Sequence, residues 1–537
     1  MKRNKGIAFT GTLFDPFFSK VVCLLLVFIS SKGVFGQAYY EPPIGIQVPG
    51  FGIEESHMMY ENALYNFGSG PKPYRDAGNG PYTHYVDQND PNATDLNNPY
   101  GTESVPRLTI PLNVKAGSVV EVHNGPYHYA QYIHGGKYLP IVNYSGTASK
   151  PIFLRGVSRS DRFEIGTLSN GNEVLLRNVS YLIVENAYFN GPGVKVYQPS
   201  DHLCFRYSEF TGENGSTGIT LWTYKLDFTA GDLKRDIVIY NNEIHDNGRY
   251  PADEETGRHG IMIDDASKNV WVTDNNIYNN GDDGIQVINR TWIQNIGPVA
   301  DQIFIGRNVI HHDGENAIDI KGSTNVIISQ NEIYGYADIF TPSSSAGEAI
   351  RINDEGDQDN IWILYNHIYE SEQGINPDGA LFKPYIIGNI IHDCSDYGIN
   401  RDSRVVANNV IYHCGMGVGR KGEPQMELSG NIIANCKEAY GYCDACPSSA
   451  SLARNNLLYN NESESSCANC IYEDPRFANA LKNDFRLRSG SPAVGKGKES
   501  SAYDVFEKTY GIDIRVDFSG DPRPKDSAWD IGAYQSK

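Results

Sequence analysis

The sequence predicts an all-β fold, a right-handed parallel β-helix with irregular segments at both ends, on three observations. First, a phrase of alternating apolar residues followed by Asn-x-Ile (or Asn-Leu-Leu) and a turn recurs at Asn242, Asn275, Asn308, Asn331, Asn366, Asn389, Asn409, Asn431 and Asn456, with weaker copies at Asn186 and Ser208. The steps are 20–25 residues, with four enlarged to 33–35. Second, another strand follows each turn, starting at Gly193, Gly218, Gly260, Gly284, Ala317, Ala349, Gly374, Gly398 and Gly417, and the next residue is Val or Ile every time. Third, a chain of 537 residues with 54 Gly and no helical periodicity is too long for one ordinary core. It escapes that limit by repeating a unit that cannot bury its apolar face alone.

Each feature of the repeat has a physical use. The recurring Asn can bond the backbone of the coils above and below and tolerates left-handed turns. Three residues later come His245, Tyr278, His311, Tyr334, Tyr369, His392, Tyr412 and Tyr459, a predicted stack of flat rings that makes His311 structural. Cys394, Cys414 and Cys436 lie five residues after the Asn on consecutive coils and should also stack, close enough for neighbours to be bonded. In the second strand, alternation turns the third and fifth residues outward. One outward column therefore reads Lys195, Thr220, Met262, Gln286, Asp319, Arg351, Asn376, and the other Tyr197, Trp222, Asp264, Ile288, Lys321, Asn353, Asp378.

Four regions follow. Residues 1–36 read as an export signal, with Lys2, Arg3 and Lys5 ahead of the short apolar run 21–29 and small residues after it. A secreted or periplasmic protein is expected. Residues 37–104 form an N-terminal flanking segment, 105–471 the coils, and 472–537 a cap of the kind a solenoid end requires. Loss of the signal removes five basic residues and one acidic, taking the net charge from −20 to −24. A surface so acidic repels nucleic acid and anionic membranes. Cys443, Cys446, Cys467 and Cys470 have zinc-ribbon-like spacing, but an exported, loop-like context favours disulfides.

The enlarged coils place a site on the second strand. Their extra residues, about 223–234, 247–258, 289–300 and 336–346, rise on both sides of one strand row and carry Tyr224, Phe228, Tyr250, Trp292, Tyr336 and Phe340. Two such walls make a groove, and flat rings stack on sugars. The plainer reading is that loops grow where solvent permits.

Most of the chain after residue 36 resembles secreted right-handed parallel β-helix proteins that degrade polysaccharides. The likeness lies in Tyr85-Val-Asp, Pro106-Arg-Leu-Thr-Ile, Ala116-Gly-Ser-Val-Val-Glu-Val and Gly125-Pro-Tyr at the start. At the end it lies in Asp474-Pro-Arg-Phe, Asp484-Phe-Arg-Leu, Gly490-Ser-Pro-Ala, Asp517-Phe-Ser-Gly-Asp-Pro-Arg and Asp530-Ile-Gly-Ala-Tyr. Ile318-Asp-Ile-Lys-Gly-Ser, Asn331-Glu-Ile and Ile350-Arg-Ile-Asn-Asp are similar to the chondroitinase-B and alginate lyase family. That resemblance implies a Lys base and an Arg acid, here Lys321 and Arg351, with a longer interval between them. Asn280-Gly-Asp-Asp-Gly-Ile and Arg351-Ile-Asn resemble parts of the polygalacturonases, which are inverting hydrolases. His259, Glu315-Asn316 and Asn353 fall where that family places other motif residues. A plain turn explains Asp282 and Asp283 equally well.

The leading expectation is thus a lyase acting on an anionic, uronate-containing polysaccharide by β-elimination. Lys321 would take the proton, Arg351 would clamp the carboxylate, Asp319 would orient either, and His259 stands in reserve. Asp319 would also raise the lysine pKa, which opposes the base role, and a surface ladder of Asp319, Lys321 and Arg351 is the bland alternative. Trp222, Asn353, Trp292 and Tyr250 are the expected substrate contacts. Asp264, Asp265, Asp282 and Asp283 are candidate Ca²⁺ ligands. No organic cofactor and a monomeric chain are expected. An inverting hydrolase, an epimerase and a non-catalytic glycan-binding protein are the alternatives.

Overall fold

Each coil turns twice at a residue in the left-handed region, and these turns set the architecture. The residue before the ladder Asn has φ of 51–59° at Asn241, Asp274, Arg307, Gln330, Tyr365, Asn408 and Asn455, and glycine takes the place at Gly388 and Gly430. Four residues after the Asn, the second turn falls at Asp246, Asn279, His312, Glu370, Asp393, His413, Asn435 and Asn460. Asn and Asp accept this conformation at low cost, which explains much of their abundance here. The first turn splits the recurring phrase in two. Each coil therefore has three strands, where the sequence pattern had suggested two.

A computed structural model describes residues 40–57, 75–76, 81–128, 138–142, 144–166, 173–197, 199–212, 216–223, 233–250, 257–288, 298–337, 347–353, 358–378, 383–400, 403–419, 427–441, 453–463 and 467–536. The chain divides into Met1–Glu41 and Pro42–Lys537. The expected export signal lies outside the described residues, as do Trp292, Tyr224, Phe228, Phe340, Cys443 and Cys446. Among the described residues no helix is long and apolar enough to cross a membrane.

Within Pro42–Lys537 the described strands form three long parallel sheets of 14, 13 and 12 strands. The first runs from His84–Asp87 to Ala453–Arg454, the second from Tyr127–His128 to Leu457–Tyr459, and the third from Tyr138–Val142 to Glu438–Tyr440. The first sheet therefore starts ahead of residue 105. Inward columns such as Ile244, Ile277, Ile310, Ile333, Ile368 and Ile391 are fully buried. Each such side chain contributes about 1.5–3 kcal/mol of burial before entropy is charged against it.

The polar ladder forms as expected. From Asn242 to Asn431 each ladder Asn donates Nδ2–H and its backbone N–H to Oδ1 of the next, at 2.8–3.0 Å. The rings stack from His245 through Tyr278, His311, Tyr334 and Tyr369 to His392, with centroids 4.7–5.1 Å apart and planes within 11°. His311 belongs to that stack; burial, and then the adjacent His312, lowers its pKa to about 4. Cys394, Cys414 and Cys436 are buried in the interior as free thiols, not bonded to one another. Cys467 and Cys470 form a disulfide.

Two segments cover the outer face of the first sheet. Residues 42–57 run along it against the direction in which the coils advance. Ser329 Oγ donates to Ile44 O and Ile44 N donates to Gln330 Oε1. Trp271 Nε1 donates to Gln47 O, Arg206 to the carbonyls of Gly52, Ile53 and Glu55, and the His57 ring meets Arg155. Further on, the cap helix Ala502–Tyr510 sets Phe506 edge-on against Trp362, with centroids 4.8 Å apart.

Candidate active site

The third sheet carries the groove strands Ile261–Ile263, Ile285–Val287, Ile318–Lys321, Glu348–Asn353 and Gln373–Asp378. Their register is Met262↔Gln286↔Asp319↔Arg351↔Asn376 in one outward column and Lys321↔Asn353↔Asp378 in the other. Ile318, Ile320, Ile350 and Ile352 are fully buried, so alternation turns Asp319, Lys321, Arg351 and Asn353 to the outside. Lys321 and Arg351 lie on adjacent strands, diagonally rather than opposite, because Arg351 faces Asp319.

Asp319 lies at the centre. It is fully buried, with Lys321 Nζ 3.0 Å from Oδ2. Its Oδ1 is buried without a hydrogen-bond partner. Arg351 Nε and Asn376 Oδ1 are likewise buried without a partner. Three consecutive coils thus present orphaned polar atoms in one column. Buried polar groups are nearly always satisfied, so such a row sets this column apart from the saturated Asn ladder.

A second column lies immediately ahead of the strand starts: His259, Asp283, Asn316 and Glu348. Asp283 Oδ1 accepts from Asn316 N–H at 3.2 Å and Nδ2 at 3.1 Å. Its Oδ2 accepts from Gln286 Nε2 at 3.0 Å and lies 3.3 Å from His259 Nδ1. Glu348 takes Arg351 Nη1 on both oxygens at 2.8 Å and Asn376 Nδ2 at 2.7 Å, while Arg351 Nη2 reaches Asp378 at 3.1 Å.

These surroundings drive the carboxyl groups apart. Burial works against a charged Asp283, but His259, Lys321 and Asn316 outweigh it and hold the group below the usual carboxylate range. Burial, and then the facing Asp283, push Asp319 up to about 8 despite Lys321. Burial would lower Lys321, yet Asp319, Asp283 and Glu315 more than offset it and keep the ammonium charged above its ordinary range. The His259 pKa is shifted upward: burial opposes the shift, and Asp283, Asp282 and Glu315 outweigh it.

The remaining candidates are placed as follows. Trp222 is half-buried beside Tyr197 in the same strand row, with Lys195 Nζ 4.6 Å from its ring centre. Tyr250 is half-buried, and its hydroxyl pKa is raised by burial and then by Asp313. Tyr336 is no groove-wall ring: it is fully buried and donates its hydroxyl to Asp313 at 2.6 Å.

Three of the four aspartates proposed for Ca²⁺, Asp264, Asp282 and Asp283, are turned to protein N–H groups, while Asp265 is engaged through its backbone carbonyl by Thr223 and Lys234. Asp264 accepts from Thr223 N and Asp265 N, Asp282 from Arg258 N, and Asp283 from the donors above. Among the described residues no three His, Cys, Asp or Glu side chains are disposed to hold a metal ion. The arrangement does not fit calcium at these positions.

Gln286 and Glu348 were not foreseen as site residues, and Asn316 was noted only within the Glu315-Asn316 pair of the polygalacturonase resemblance. Their signal was present: each of His259, Asp283, Asn316 and Glu348 directly precedes the Gly or Ala that opens a third-sheet strand.

The family model described as "Right handed beta helix region" matches residues 172–335 and 295–462, together more than half of the chain. No curated protein matches by sequence. Among solved structures, pectate lyase Pel9A is 12% identical with a TM-score of 0.37, the likeness covering 84% of this chain and 96% of that one. The periplasmic alginate epimerase AlgG is 11% identical with a TM-score of 0.33, over 65% and 85%. The GH136 lacto-N-biosidase from Eubacterium ramulus is 14% identical with a TM-score of 0.36, over 73% and 67%. Identities and TM-scores this low carry no activity across. The match over residues 172–462, together with the three parallel sheets, places the chain in the right-handed β-helix family.

Proposed function

We propose that the protein cleaves glycosidic bonds of a polysaccharide laid along the third sheet, and that Asp319 protonates the leaving oxygen. The observation that carries this reading is the buried Asp319 carboxyl, close enough to Asp283 for the two negative charges to oppose each other. Two carboxyl groups whose surroundings separate their pKa values are the usual arrangement for acid catalysis at neutral pH. Asp319 keeps its proton at pH 7 and can give it to the departing oxygen. Asp283 stays ionised and favours the positive charge that develops at the sugar carbon. His259, Gln286 and Asn316 position Asp283. Lys321 and Arg351, part-exposed beside Asp319, would meet the sugar oxygens. Hydrolysis is the chemistry best matched to this set.

β-Elimination on a uronate polymer is the second reading. The adjacent cations Lys321 and Arg351 favour it, since a uronate carboxylate must be neutralised before its neighbouring carbon loses a proton. The charged state of Lys321 counts against it as the base. Products from a panel of neutral and uronate polysaccharides test both. New reducing ends without a conjugated chromophore support hydrolysis. An unsaturated uronate product moves elimination ahead, and no cleavage of any polymer refutes both.

A further inference from the structure

We infer a second glycan-binding site, outside the cleavage groove, for an anionic sugar unit such as a uronate or a sulfated residue. It lies where the second sheet meets the cap. In the ladder register His392 is followed by Tyr412, then Ala434, then Tyr459. The ring column therefore loses one ring at Ala434, and a cavity of 350 Å³ opens beside Tyr412, Ala434 and Tyr459. The volume is at the lower end of the ~300–1,000 Å³ usual for small-molecule sites and suits one or two sugar rings. Both tyrosines are half-buried and present flat surface of the kind that stacks on a pyranose.

The cap closes the other side with charge. Arg476, Arg488 and Asp474 are the charged residues lining the cavity, one net positive charge in a chain of net −20. The carboxylate of Asp474 already accepts the Arg476 backbone N–H at 2.7 Å. Each guanidinium is fixed by one bond to a backbone carbonyl, Arg476 Nη1 to Gly490 at 2.9 Å and Arg488 Nη2 to Ala478. Among the described residues neither arginine has an ion-pair partner, so other N–H groups of both planes remain for a ligand. Fixed, planar donors beside aromatic faces recognise a carboxylate or sulfate on a ring better than mobile lysines do. Leu481, which also lines the cavity, is 95% exposed at its mouth.

The site is independent of the cleavage centre. Its Tyr412 strand is four coils beyond the coil that holds Asp319, roughly 19 Å at about 4.8 Å per coil, and on a different sheet. The site would hold an acidic polymer without reacting with it.

Binding is measured on the full chain by affinity electrophoresis and calorimetry, with polygalacturonate and alginate as acidic probes and dextran as the neutral control. All forms carry Asp319→Asn, so that no probe is consumed. Binding of at least one acidic polymer and no retention by dextran are expected. Arg476→Gln with Arg488→Gln should weaken that binding at least tenfold. Leu481→Glu disturbs no internal bond and should weaken it severalfold, whereas Leu481→Lys should strengthen it. Unchanged affinity in Leu481→Glu and the arginine variant, or failure of both acidic polymers to bind, overturns the proposal. The hydrolase reading is judged separately, by turnover of the chain with Asp319 intact.

Discussion

Two columns of polar side chains run along the same stack of coils, and they differ in one respect. The ladder from Asn242 to Asn456 repeats one residue type on every coil, and each amide saturates its neighbours. The groove column changes at every coil, through Met262, Gln286, Asp319, Arg351 and Asn376, and leaves buried atoms unsatisfied on three coils in a row. A repeated, saturated column makes stability. The unrepeated, unsatisfied one is where we propose the chemistry, and it gives up stability. Substitutions in the two columns should therefore have opposite signatures.

The largest effect is expected at the centre of the groove column. Asp319→Asn should reduce turnover by about 10²–10⁴-fold, the usual worth of a positioned acid, while the thermal midpoint is unchanged or rises. A fall in the midpoint with activity retained would erase the distinction between the columns. The ladder should behave in reverse. Asn389→Ala removes the acceptor of the Asn366 N–H and of one Nδ2 hydrogen, the other still reaching Ile328 O, and should cost about 2–4 kcal/mol in denaturant unfolding. Asn242→Ala leaves one donor, the Ser208 N–H, without its acceptor, beside the lost Nδ2 bonds to Phe205 and Asn275, and should cost about 1–2 kcal/mol. Neither should alter turnover of folded protein.

Proton linkage sharpens the contrast. The folded-state pKa of Asp319 is raised to about 8, so between the ordinary carboxyl range and pH 8 the folded chain binds more protons than the unfolded one. The Asp319 contribution to stability must then fall as pH rises through that window. In Asp319→Asn that part of the slope should vanish, which thermal melts from pH 5 to 9 (spanning about the shifted window) will register. Activity that depends on the protonated acid should decline as pH passes about 8. The smallest effect is expected at the end of the strand row. Trp222→Ala should raise KM a few-fold on long substrate, about 0.5–1.5 kcal/mol of lost stacking, and leave kcat on short substrate unchanged.

The legibility of the sequence follows the same division. The Asn and ring columns could be placed by number because their period is fixed and alternation sets their direction; the register of Asp319, Lys321, Arg351 and Asn353 came from the same rule. The pairing of Asp283 with His259 and Asn316 could not be read that way, because these residues stand in the turn before the strand, where alternation does not set side-chain direction. Tyr336 was misplaced because an insertion beside it imitates a groove wall, although it occupies the inward position held elsewhere by Asn280 and Asp313. The covering segment 42–57 left no trace, since most of its bonds use its own backbone carbonyls and need no side-chain pattern.

That covering segment changes what kind of object the coils form. Stacked repeats that touch only their neighbours unravel from the ends, one at a time. Here Ile44 is bonded to Gln330, 286 residues away along the chain, and Arg206 holds the backbone of Gly52 and Ile53. The first part of the domain to be synthesised can be seated only after the coil that carries Gln330 exists. The segment acts as a late-fastening seam: once closed, it ties the opening of any one coil between Arg155 and Gln330 to the opening of all of them.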